Sequence, residues 1–123
     1  MDLYIHYIQY FSVLIGFGAC FIGLLAIIKP EFMSSGFGIK VDGFAASYVV
    51  ALGIRDLFIG LVVLLLYVNE AWSLIGYTSL LIAMVAFSDF IVVFKNGRKS
   101  ASFVHLIGLL IALAYGFILL SSV

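Results

Sequence analysis

Three ionisable residues interrupt long apolar runs in this chain: Arg55 and Asp56 in one run and Asp89 in another, with His105 near the start of a third. Each type suits a particular chemistry. A carboxylate beside a guanidinium stays ionised and can serve as a base. An imidazole can pass a proton near neutral pH. A guanidinium can clamp an anion or orient a carboxylate. On this reading Asp89 is the acid or base, Arg55 an anion clamp or carboxylate partner, Asp56 the orienter of Arg55, and His105 a proton relay. Tyr48 lies seven residues before Arg55 on the same helical face and offers a phenol. Ser88 and Asn96 would flank the mouth of such a site as further ligand contacts. The set suits proton transfer on a lipophilic molecule, of isomerase or cyclase type, or the holding of a small lipophilic or anionic ligand. The competing reading is a buried ion pair that only fixes helix register, with a neutral core histidine beside it.

Other chemistries lack their residues. There is no CxxC, HExxH, P-loop or GxSxG pattern. One carboxylate cluster with one histidine does not make a metal site, and haem would lack a second ligand, so no metal or cofactor is expected. Cys20 stands alone in a span, as a packing residue. His6 reads as an ordinary surface histidine.

The elements that must carry these residues are membrane spans. Only 10% of the 123 residues are charged and 66% are hydrophobic, against about 25% and 45–50% in soluble domains. Mean hydropathy is +1.33. Twelve charges cannot cover a water-soluble domain of this size. The net charge of zero, with no basic patch, argues against nucleic acid as a partner. Four runs meet the ~20-residue requirement of a helical span, at about residues 8–28, 45–67, 72–94 and 102–121. They do not alternate as barrel strands would. The expectation is therefore an all-α integral membrane four-helix bundle, one domain over 1–123, antiparallel and up-down-up-down, with the lipid bilayer as its partner. The first run lacks the basic start and small-residue cleavage site of a signal peptide.

Lys29 and Lys40 lie in the first connection and Lys95, Arg98 and Lys99 in the third, whereas the other side carries only Asp2 and Glu70. This asymmetry places loops 29–44 and 95–101 in the cytoplasm and both termini outside, for a multi-pass protein of the inner or plasma membrane. Tyr4, Tyr7, Tyr10, Tyr67 and Trp72 fall at the outer end as an aromatic belt. Loop 29–44 mixes apolar residues with glycine and serine and is expected to lie in the interface or to lid a cavity. Gly16 and Gly23, Gly53 and Gly60, and Gly108, Ala112 and Gly116 form small-residue faces. They suit close packing inside one chain or in a homo-oligomer.

Side chains on a helix lean toward its N-terminus. Arg55 therefore leans toward the cytoplasm and Asp89 away from it, and the two converge if their helices face each other. Arg55 is expected to pair with Asp56 or Asp89, with His105 at the cytoplasmic mouth. Asp56, on the Gly53–Gly60 stripe, is expected to point at a close helix, and His105 likewise beside Gly108 and Ala112. Two further readings compete with a ligand pocket: an oligomeric transporter or proton-coupled carrier subunit, and a structural accessory subunit.

At these residues a resemblance emerges. Phe37-Gly38-Ile39, Tyr48, the GxRDLxxG stretch from Gly53 to Gly60, Ser88-Asp89, Gly97 and His105 resemble a family of unknown function. Its members are small four-helix integral membrane proteins of bacteria and fungi. Ser88 stands where that pattern suggests glycine. The resemblance implies a four-helix bundle and singles out Arg55, Asp56, Asp89 and His105; it implies no reaction.

Overall fold

A computed structural model describes residues 2–123. It contains α1 (Asp2–Ile28), α2 (Pro30–Phe37), a 3-10 turn (Gly43–Ala45), α3 (Ala46–Val68), α4 (Trp72–Asn96) and α5 (Lys99–Ser121), with no strand among the described residues. The four long helices run antiparallel to their neighbours as a bundle, and each is long and apolar enough to cross a membrane. The distribution of side chains agrees. Ala26, Ala46, Ala83, Ala101, Ala112 and four serines are buried beside Val49, Val63, Ile75, Val93, Tyr115 and Leu119, while Phe58, Leu61, Leu81 and Phe117 are more than half exposed. A water-soluble bundle would bury those large residues. In lipid they gain nothing by burial, and close packing of small residues holds helices together instead.

The helices overrun the apolar spans. α1 begins six residues before the expected span, and only Gly97 and Arg98 separate α4 from α5, so most of the 95–101 connection is helical. Hydropathy marks where lipid ends, whereas a helix continues until its backbone is stopped. Residues 29–44 likewise contain a helix. Pro30 starts α2, where its missing N–H costs nothing. Gly38 ends it with φ +105, in the left-handed region that suits glycine. α3 ends with Glu70 at φ 54; the Glu70 and Ala71 amides donate to the Tyr67 and Leu66 carbonyls, which is a Schellman cap.

Glycines sort the bundle into two tight pairs. A Cβ on Gly53 would lie 2.7 Å from the Gly23 carbonyl oxygen, and one on Gly60 would lie 2.7 Å from the Cys20 amide. Backbones of α1 and α3 thus touch at two levels. Gly76 and Gly116 bring α4 and α5 together in the same way, a Cβ on Gly116 reaching 3.0 Å from the Gly76 carbonyl. Nearby, the Ser79 hydroxyl donates across to the Ala112 carbonyl at 2.8 Å. These faces are consumed inside one chain. Gly108 is the exception in its stripe: nothing lies within 4 Å of a Cβ built there.

The two pairs share a buried apolar layer at the end carrying Tyr67 and Trp72, called here the aromatic end. Ile75, Tyr115 and Leu119 are buried there, with Ile8, Ile15 and Leu66 packed against them. Tyr115 donates to the Ile8 carbonyl at 2.8 Å and shares a buried hydrogen bond with the Ser12 hydroxyl. This layer closes the bundle axis at the level of Ile75, Tyr115 and Leu119. Toward the basic end, which carries Lys29, Lys40, Lys95, Arg98 and Lys99, the pairs separate and a cleft opens.

Candidate functional site

α3 presents Arg55 and Asp56, α4 presents Asp89 and α5 presents His105, all in the basic half of the bundle. Arg55 forks onto Asp89: Nη1–H donates to Oδ1 at 3.1 Å and Nη2–H to Oδ2 at 3.0 Å. Its Nε–H donates to Asp56 Oδ1 at 3.2 Å. The expected alternatives are therefore both present, and one guanidinium serves two carboxylates. Opposed lean explains the reach. Arg55 and Asp89 lean along antiparallel helices in opposite senses, so side chains from different levels meet. The fork also ties the α1/α3 pair to the α4/α5 pair. All three side chains are part-buried, with exposures of 30% for Arg55, 26% for Asp89 and 17% for Asp56.

His105 faces the same cleft. Its Nε2 lies 3.0 Å from the Phe37 carbonyl at the end of α2. A carbonyl can only accept, so Nε2 carries a proton, and in the neutral tautomer Nδ1 is then the acceptor. The Phe37 ring lies 6.5 Å from the imidazole.

Two apolar cavities share this polar wall. One, of about 320 Å³, lies between α3 and α4 under the α2 connection, with Val49, Leu52, Val92 and Val93 among its lining. The other, of about 420 Å³, lies between α1 and α5, with Ala19, Ile22, Ala86, Val104 and Gly108 among its lining. Phe37, Arg55, Asp89 and His105 border both, while Asp56 borders only the second. The volumes fall in the ~300–1,000 Å³ range of small-molecule sites, which are mostly apolar with a few convergent polar groups.

The other sequence candidates separate. Tyr48 borders the α3/α4 cavity but is 77% exposed, at its rim. Ser88 and Asn96 border neither cavity; each side chain donates to a carbonyl of its own helix, at Met84 and Val92. The face of Asp56 and His105 also differs from expectation in part. Gly53 and Gly60 do contact α1 closely, but Gly108 beside His105 opens on a cavity rather than a helix. Among the described residues, no group of three or more His, Cys, Asp and Glu side chains could hold a metal ion.

A family described as "Domain of unknown function (DUF4267)" has a sequence model that matches residues 16–119. The chain belongs to this family. The match takes in every residue of the cleft described above, the whole of α3 and α4, α1 from Gly16 onward and α5 as far as Leu119. Comparison with curated proteins and with solved structures gives no match.

The sequence offered loop 29–44 as an interfacial segment or a lid; the contacts that seat it as a roof over the cleft went unread. The Arg98 amide donates to the Gly38 carbonyl at 2.8 Å, and its Nη2–H to the Ser35 carbonyl at 3.3 Å. The Ser34 hydroxyl donates to Glu31 and accepts from the Val41 amide, and Glu31 Oε1 accepts from the Gly43 amide. α2 is thereby tied to the α4–α5 turn and folded over the polar wall. Gly38 and Gly97 sat in the resemblance pattern, but their contact joins residues nearly sixty apart in sequence, which no local spacing reveals.

Proposed function

We propose that this protein holds a small lipophilic molecule in the basic half of its bundle, with its reactive or polar group at the Arg55–Asp89–Asp56–His105 wall. One observation carries the reading: a charged, hydrogen-bonded cluster forms the common wall of two apolar cavities. An ion pair needed only for register would be better packed round with side chains. The packed layer of Ile75, Tyr115 and Leu119 lies across the axis and argues against a solute path through a single chain. The basic end faces the cytoplasm of an inner or plasma membrane, on the strength of five basic residues at that end. Within the cleft, Asp56 and His105 Nδ1 are the groups placed to accept a proton from a bound molecule, and α2 is placed to exclude water.

The test is mass spectrometry of small molecules that co-purify with the wild type and with two variants, Leu52→Trp and Ala86→Phe. Each fills one cavity and leaves the four polar residues in place. A lipophilic species present on the wild type should fall in at least one variant. The same species in the same amounts on all three proteins would remove the basis for a pocket.

A further inference from the structure

The hydrogen-bonding capacity left at the cleft is weighted toward acceptors. A guanidinium has five N–H donors. Arg55 spends Nε–H on Asp56 and one donor each of Nη1 and Nη2 on Asp89, and Nη2 also lies 3.2 Å from Asp56 Oδ1. His105 spends Nε2–H on the Phe37 carbonyl. What remains at this wall is one Nη1–H donor of Arg55 against several acceptor sites: the second oxygen of Asp56, the outer lone pairs of Asp89 and, in the neutral ring, His105 Nδ1. Charge points the same way, since one guanidinium faces two carboxylates. An anionic headgroup would meet acceptors and a net negative wall. A cationic donor would satisfy both.

The mouth of this cavity adds a second constraint. Gly108 lies on its border with open space where a side chain would stand. Ile22 and Val104, on the facing helices, are both exposed at the same opening. The gap between α1 and α5 therefore leads sideways into the surrounding lipid, across a floor with no side chain.

We infer that the α1/α5 cavity takes a protonated single-chain amine, its ammonium group against Asp56 and Asp89 and its alkyl chain leaving over Gly108 into the bilayer. This rests on the pocket reading above and names its ligand class. The test uses the full chain in detergent, with dodecylamine, dodecanol and dodecanoate as probes of equal chain length, read by native mass spectrometry. Dodecylamine should bind at least about tenfold more tightly than dodecanoate, a difference of ~1.4 kcal/mol. Asp56→Asn keeps the Arg55–Asp89 fork and should erase most of that preference. Gly108→Leu should weaken dodecylamine about tenfold or more with an unchanged melting temperature, because nothing lies within 4 Å of a Cβ built there. Equal or tighter binding of dodecanoate would overturn the inference, as would unaltered dodecylamine binding by Gly108→Leu. If dodecanol and dodecanoate bind better than the amine, the pocket stands and the amine assignment fails. If none of the probes binds, both fail.

Discussion

Arg55→Met should cost more stability than Asp89→Leu, although both break the same ion pair. Arg55 serves two carboxylates, Asp89 through two bonds at 3.1 and 3.0 Å and Asp56 through one at 3.2 Å. Removing Asp89 leaves the guanidinium paired with Asp56. Removing Arg55 strands two carboxylates beside apolar cavities. Breaking a buried pair by deleting one partner costs ~3–5 kcal/mol, and the exposure of 30% at Arg55 and 26% at Asp89 lowers that. For Asp89→Leu the surviving Asp56 contact lowers it again, to about 2 kcal/mol, the scale of a charged hydrogen bond. For Arg55→Met the two unpaired carboxylates keep the cost near ~4 kcal/mol. The triple variant Arg55→Met/Asp56→Leu/Asp89→Leu should recover most of this loss, because replacing a whole buried charge set by apolar groups is often neutral. Equilibrium unfolding in mixed micelles, followed by far-ultraviolet circular dichroism and by Trp72 fluorescence, measures all three. The reasoning fails if Asp89→Leu is as damaging as Arg55→Met. It also fails if the triple variant is no more stable than Arg55→Met.

Three further outcomes follow from the backbone. Gly60→Ala drives a methyl group into the Cys20 backbone and should cost ~1–3 kcal/mol; Gly18→Ala, with open space at its Cβ, should be neutral or stabilising by up to ~1 kcal/mol, and unfolding of the two variants side by side checks the contrast. Gly38→Ala places a methyl group 2.6 Å from Val93 and 2.8 Å from Ala101 at φ +105, so α2 should lose its seat. Hydrogen exchange should then rise at residues 30–43 while α1 and α3 stay protected, and unchanged exchange there would contradict the roof described above. Glu70→Gly removes a side chain from the left-handed cap after α3 and should raise stability by about 1 kcal/mol, seen as a later unfolding midpoint.

The sequence by itself determined the solvent and the elements. Runs of uncharged residues set four helices, because a backbone in lipid must satisfy its own hydrogen bonds. Gly16, Gly23, Gly53 and Gly60 were legible as contact faces, because a helix that must come close can tolerate only small residues there. Arg55, Asp56, Asp89 and His105 stood out because charge is costly in hydrocarbon, and the opposed lean of side chains foretold that Arg55 and Asp89 could meet. Tertiary structure alone decided what surrounds them. The same small-residue pattern puts Gly60 against backbone and Gly108 against open space, since contact depends on where the second helix lies and not on spacing within the first. α2 sits over the cleft because Arg98 and Gly97 meet Gly38 across the fold, a pairing set by three-dimensional closure. Ser88 and Asn96 turn to their own helices, although their position in sequence looked equally close. Whether the charges line a cavity was likewise beyond the sequence. It depends on two glycine-packed pairs closing at Ile75, Tyr115 and Leu119 while they stay apart at the other end.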